Sequence, residues 1–169
     1  MRAFGTAVTG LALVLALSSP AAANPAVTRG ERSPLAETDR SYAAGEVCGF
    51  PMTVTFPVQQ EFITNLFDEN GTLVGATITG KLVARVTNTA SGASVDRTLT
   101  GLGTLTFGAD GSETIDVGGT IGIAFRGTDS PANEFDIVTG SSVLRIAADG
   151  TRTLLSSDGA IEDLCLTLA

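Results

Sequence analysis

The sequence predicts an all-β fold, an antiparallel up-and-down β-barrel of roughly ten strands, with a β-sandwich as runner-up. Three observations predict it. From Val47 onward, Thr, Val, Ile, Leu and Phe alternate with small or polar residues in short runs. No segment carries a sustained 3.6-residue apolar stripe. Turn pairs recur at Asn70-Gly71, Ser91-Gly92, Asp110-Gly111, Asp149-Gly150 and Asp158-Gly159, and Asn-Gly and Asp-Gly tolerate the positive φ that tight hairpins need.

The chain opens MRAFGTAVTGLALVLALSSPAAANPAV. Arg2 supplies a positive start, Leu11 to Leu17 a short apolar centre, and Ala21-Ala22-Ala23 small residues for cleavage. That order is a secretory signal peptide over 1–23. Ser18, Ser19 and Pro20 break the run before it can span a bilayer core of about 30 Å, so no membrane span is expected after cleavage. The protein is expected outside the cell. Residues 24–46 are polar, carry mixed charges and show no apolar period, and read as a flexible, disordered linker. The barrel domain is expected over 47–169.

Within that domain, PMTVTFPV sets Met52, Val54, Phe56 and Val58 against Thr53 and Thr55. EFITNLF and TLVGATIT flank the DENG turn, and KLVARVTN and SVDRTLTG flank TASGA. GTLTFGA and SETIDVGG flank Asp110-Gly111. TIGIAFRG, EFDIVTG, SSVLRIAA, TRTLLSS and AIEDLCLTL complete the set. Short connections favour a meander over a Greek key. Glycines inside strands (Gly75, Gly103, Gly118, Gly119 and Gly122) are expected at bends or bulges of a curving sheet.

The two cysteines, Cys48 and Cys165, bracket nearly all of the foldable region. Outside the cytoplasm paired thiols stay oxidised. Two thiols allow one intramolecular bridge, closing a loop worth roughly 4–5 kcal/mol on the chain-entropy model. Free buried thiols and an intermolecular bridge are the alternatives. The bridge would pin the first strand to the last, where a barrel is sealed.

CGFPMTVTF near the domain start, the hairpin TGKLVARVTNTASGASVDRTLTG and the ending GAIEDLCLTLA resemble a set of small secreted actinobacterial proteins. Those begin C-x-F-P and carry a second cysteine near the C-terminus. The resemblance covers residues 48–169 and implies location and architecture; it brings no activity and no functional residue.

Composition excludes several chemistries. The chain has no His and no Trp. Without His there is no Ser-His-Asp or Cys-His nucleophile, and one bridged cysteine pair cannot complete a tetrahedral zinc site. No phosphate-cradling glycine motif or nucleophile elbow is present. No metal and no cofactor is expected. A formal net charge of −8, from 10 basic and 18 acidic residues, argues against nucleic acid and anionic membranes.

Carboxylates and arginines remain. Asp68 and Glu69 read as a solvated hairpin tip, since a calcium loop with Gly71 at its sixth place would begin at Leu66, which cannot ligate. Arg126, Glu134 and Asp136 are the candidate site residues. Glu134 and Asp136 share one face of EFDIV, opposite Phe135 and Ile137. Arg126 is expected to pair with Asp136 or Glu134 across a ladder, either as a surface ion pair or lining a lumen. Arg85, Asp96 and Arg97 form a similar set. No catalytic residue is assigned.

The first functional expectation is a non-enzymatic barrel that binds a small, mostly apolar molecule. The second is an extracellular or cell-envelope interaction module with a filled core. The third is a cyclase-like barrel enzyme using a carboxylate and an arginine.

Overall fold

The computed structural model describes residues 27–169, so the signal-peptide reading of residues 1–23 lies outside the described residues. Nine strands form one antiparallel sheet. They are β1 (Thr28–Leu35), β2 (Arg40–Tyr42), β3 (Met52–Phe67), β4 (Leu73–Asn88), β5 (Ser94–Phe107), β6 (Glu113–Phe125), β7 (Glu134–Ile146), β8 (Arg152–Ser157) and β9 (Ile161–Asp163). A single turn of helix, α1 (Leu164–Thr167), follows. The order across the sheet is β1-β3-β4-β5-β6-β7-β8, with β2 also on β3 and β9 also on β7. The central strands are joined as consecutive hairpins, as the recurrent turns imply.

The strands are fewer and longer than the sequence suggests. β3 and β4 have 16 residues each, β5 has 14, and β6 and β7 have 13 each. Each joins two runs that the sequence reading separates. The joins fall largely on one row of residues crossing the sheet. Glu61 faces Gly80, Gly80 faces Gly101, Gly101 faces Gly119, and Gly119 faces Gly140. The four glycines have φ of +134°, +150°, +140° and +111°, a region costly to residues with a Cβ. A side chain at Gly80 would run into the Gln60 carbonyl, and one at Gly119 into the Thr100 carbonyl. The row is a crease at which long strands bend without ending.

The expected barrel does not close. β1 and β8 are the two edges, and no ladder joins them among the described residues. The reason lies between β5 and β6, whose ladder runs only from Thr100↔Thr120 to Phe107↔Glu113. Beyond the crease, Ser94–Leu99 of β5 pair with β4 alone, and Ile121–Phe125 of β6 pair with β7 alone. The sheet therefore splits at that end, and its halves pack face to face. Val54, Leu82, Ala84, Val86 and Leu99 from β3–β5 share one core cluster with Phe135 and Ile137 of β7 and Leu164 of α1. Apolar burial between the split halves replaces a closing ladder. Arg97 also crosses the split, its Nε 2.7 Å from Glu162 Oε2.

The far side of the same β6–β7 hairpin is buried too. Ile123, Phe125 and Val138 form a second cluster with Leu144. Four consecutive β7 residues, Phe135–Val138, are buried, a pattern expected of a strand covered on both faces.

The linker expected over 24–46 is partly ordered. Thr28–Leu35 form β1 along β3, and Arg40–Tyr42 form β2. β1 contributes almost no buried side chains, so its pairing rests on backbone hydrogen bonds that leave no apolar period in the sequence. Tyr42, by contrast, is buried in the first cluster.

Cys48 and Cys165 form a disulfide with Cα atoms 5.2 Å apart across 117 residues of chain. It does not join edge strands. It ties the segment before β3 to α1, which sits beneath β7. Leu164 and Leu168 are buried there, and Asn88 Nδ2 donates to the Leu168 carbonyl at 2.8 Å. Among the described residues, no helix is long and apolar enough to cross a membrane.

Candidate functional site

A half-open cavity of about 480 Å³ lies where the bent sheet splits. Its walls are largely aliphatic: Ile78 and Leu82 of β4, Leu99 and Leu105 of β5, Ile115, Ile121 and Ile123 of β6, and Leu144 and Ile146 of β7. Phe56 and Phe135 add aromatic surface, and Tyr42 closes the β2 side. Gly101, Gly103 and Gly122 line it as well. Glycines on a concave wall keep the backbone bare, so the space is bounded by main chain where side chains would fill it.

A few polar groups converge on this apolar chamber. Glu37, Arg40 and Glu61 lie on the β1–β3 side, Thr100 and Thr120 beside the crease, and Glu113 and Arg152 toward the β6–β8 side. Both arginines have partners. Arg40 Nη2 is 3.0 Å from Glu37 Oε2. Arg152 Nη1 donates to the Ala124 carbonyl at 3.2 Å and lies 3.7 Å from Asp129 Oδ2. Asp129 is buried and organises the β6–β7 loop, accepting from Arg126 N at 2.6 Å and Arg152 N at 2.8 Å.

Glu61 differs. It is half-buried, and no cation or hydrogen-bond donor of the described residues meets its carboxylate. Burial pushes its carboxyl above the usual range, and the nearby Glu37 carboxylate pushes it further. Its place on the cavity side follows from a bulge. Between Thr55 and Val58 the β3–β4 register shifts by one residue, around Pro57. Val54 and Phe56 face the cavity before the bulge and odd-numbered Glu61 after it.

None of Arg126, Glu134 and Asp136 lines this cavity. Arg126 meets Glu46 instead, Nε to Oε1 at 3.3 Å, on the surface. Glu134 faces Phe125 at the start of β7. Asp136 faces Ile123 across one ladder and Asp163 across the other. It is 1% exposed, and its Oδ1 has no hydrogen-bond partner. Burial, then Glu134 and Asp163, raise its carboxyl to about 6. Arg85 pairs with Asp96 at 2.7 Å on the surface. Asp68 caps its own turn, accepting from Asn70 N at 2.9 Å and Thr72 N at 2.8 Å.

Sequence reasoning missed the polar lining of the cavity: Glu37, Arg40, Glu61, Glu113 and Arg152. The only signal was Pro57 within a strand, which marks a bulge and hence a change of face. A second, more open depression of about 430 Å³ is lined by Asp116, Ser141, Ser142 and Ser156 together with Leu102, Val117 and Val143. Among the described residues, no group of three or more carboxylate or thiol side chains is arranged to hold a metal ion. No protein-family model, curated protein or solved structure matches the chain.

Proposed function

We propose that this is a secreted, non-enzymatic binding protein that holds a small, mostly apolar molecule in the half-open cavity of its bent sheet. One observation carries the reading: a cavity of about 480 Å³ with aliphatic walls and a few polar groups at its ends. That size and lining match small-molecule sites, where apolar surface supplies affinity and sparse polar groups fix orientation. The Cys48–Cys165 disulfide fits an exported protein.

The chain carries its own reporter. Tyr42 is its one tyrosine and there is no tryptophan, and Tyr42 lines the cavity. Titration with medium-chain alcohols is expected to change tyrosine emission saturably, and native mass spectrometry should find one ligand per chain. Unchanged emission, together with a bare mass for protein from its own culture medium, would sink the reading.

An extracellular or envelope interaction module is the second reading. It draws on apolar side chains exposed near the C-terminus, Leu155, Ile161 and Leu166, the last at 78%. Substituting all three with Ser should leave alcohol binding intact and abolish association with envelope fractions if that reading holds.

A further inference from the structure

The charges lining the cavity are unbalanced, and the imbalance has a sign. Three carboxylates and two guanidiniums reach it. Each guanidinium is already held, Arg40 by Glu37 and Arg152 by Asp129 and the Ala124 carbonyl. A ligand carboxylate would have to displace one of these internal partners. Glu61 and Glu113 have no cation or donor of the described residues against them. Glu61 is also half-buried beside aliphatic walls and faces the field of Glu37. A carboxylate so placed loses hydration without gaining a counterion, and a cation brought by the ligand would restore the balance. The chain's net charge of −8 attracts cations over the same approach.

We propose that the cavity selects a cationic amphiphile, an apolar body bearing one protonated amine, and that Glu61 is the group that meets the ammonium. This rests on the binding reading above. Apolar walls take the body, while the Glu61 carboxylate accepts charge-assisted hydrogen bonds from the ammonium. Glu37 adds to the attraction but stays engaged with Arg40. Glu113 lines the same cavity on the β6 side, away from Glu37. Because Glu61 must be ionised to act, amine affinity falls as pH drops through its titration range, which burial and then the nearby Glu37 carboxylate raise; Arg40, Glu113 and Arg152 are the other charged groups lining the cavity.

The test compares n-octylamine, n-octanol and octanoate on the intact chain near neutral pH, by Tyr42 emission and by calorimetry, with a Glu61→Gln variant alongside. Octylamine should bind about tenfold tighter than octanol, and octanoate about tenfold weaker than octanol. In Glu61→Gln the preference for octylamine should vanish while octanol binds as before, which also shows that the variant is folded. Equal binding of amine and alcohol, tighter binding of octanoate, or an amine preference that survives in Glu61→Gln would overturn this inference and leave the apolar binding site standing. If none of the three binds the wild-type chain, both readings fall.

Discussion

Gly101 of β5 stands directly opposite Gly119 of β6, and neither position has room for a Cβ. A Cβ on Gly101 would overlap the Gly118 carbonyl, and one on Gly119 would overlap the Thr100 carbonyl. The pair sits where the β5–β6 ladder nears its end and the sheet begins to split. Gly101 also lines the cavity, so the crease and the cavity wall meet at this position.

Gly101→Ala should destabilise the fold by several kcal/mol, because it combines a positive φ with overlap against main chain. Gly118→Ala is the control, since nothing lies within 4 Å of a Cβ built there and its φ is not positive. Thermal unfolding followed by far-ultraviolet circular dichroism should show a large fall in Tm for the first and little change for the second. Equal shifts would remove the crease as the organising feature.

Replacing Cys48 and Cys165 with Ser should lower stability by about 4–5 kcal/mol, the loop-closure value for a bridge spanning 117 residues. Denaturant midpoints in oxidised and reduced protein provide a second measure. A loss under about 1 kcal/mol would contradict the loop-closure account of the bond.

Asp136 makes stability depend on pH in an unusual direction for an acid. Its folded carboxyl titrates near 6 against an ordinary 3.8. Between those values the native state binds a proton that the unfolded chain has released. Stability is therefore highest at the acidic end of this window and falls as pH rises toward 6. The full shift corresponds to roughly 3 kcal/mol as an order of magnitude. Asp96, Asp110 and Glu162, whose carboxyls are lowered by their partners, act in the opposite direction at lower pH. Asp136→Asn isolates the effect: the difference in unfolding free energy between variant and wild type should grow in favour of Asn between pH 4 and 7. A difference independent of pH would contradict an uncompensated buried carboxyl.

Gly103→Leu should block the cavity without breaking the fold. Gly103 lines the cavity, its φ is not positive, and the nearest atom to an added Cβ is Ile78 Cβ at 3.9 Å. Octanol affinity is expected to fall by at least about tenfold, with unfolding temperature close to wild type. Unchanged binding in a folded variant would place the ligand elsewhere.

The β character, the hairpin order and the cysteine pairing were legible in the amino-acid sequence because each depends on local chemistry. Alternation sets a face, Asn-Gly and Asp-Gly set a turn, and two thiols admit one bridge. Gly119 was legible as a bend; Gly80, Gly101 and Gly140 were not, because they fell at ends of runs that looked like separate strands. Only pairing places all four on one line. The cavity's polar lining was hidden for a related reason. The β3 bulge reverses which residues face inward, so Glu61 reads as outward until the register is known. The open split between β5 and β6 is likewise a tertiary outcome. Both a closing ladder and face-to-face packing satisfy the same alternating pattern, and burial of Phe135, Ile137 and Leu164 against Val54, Leu82 and Leu99 decides between them. Asp136 is buried without a cation for the same reason: ladder partners on both sides, Ile123 and Asp163, are fixed by the fold, whereas Arg126 is carried out to Glu46.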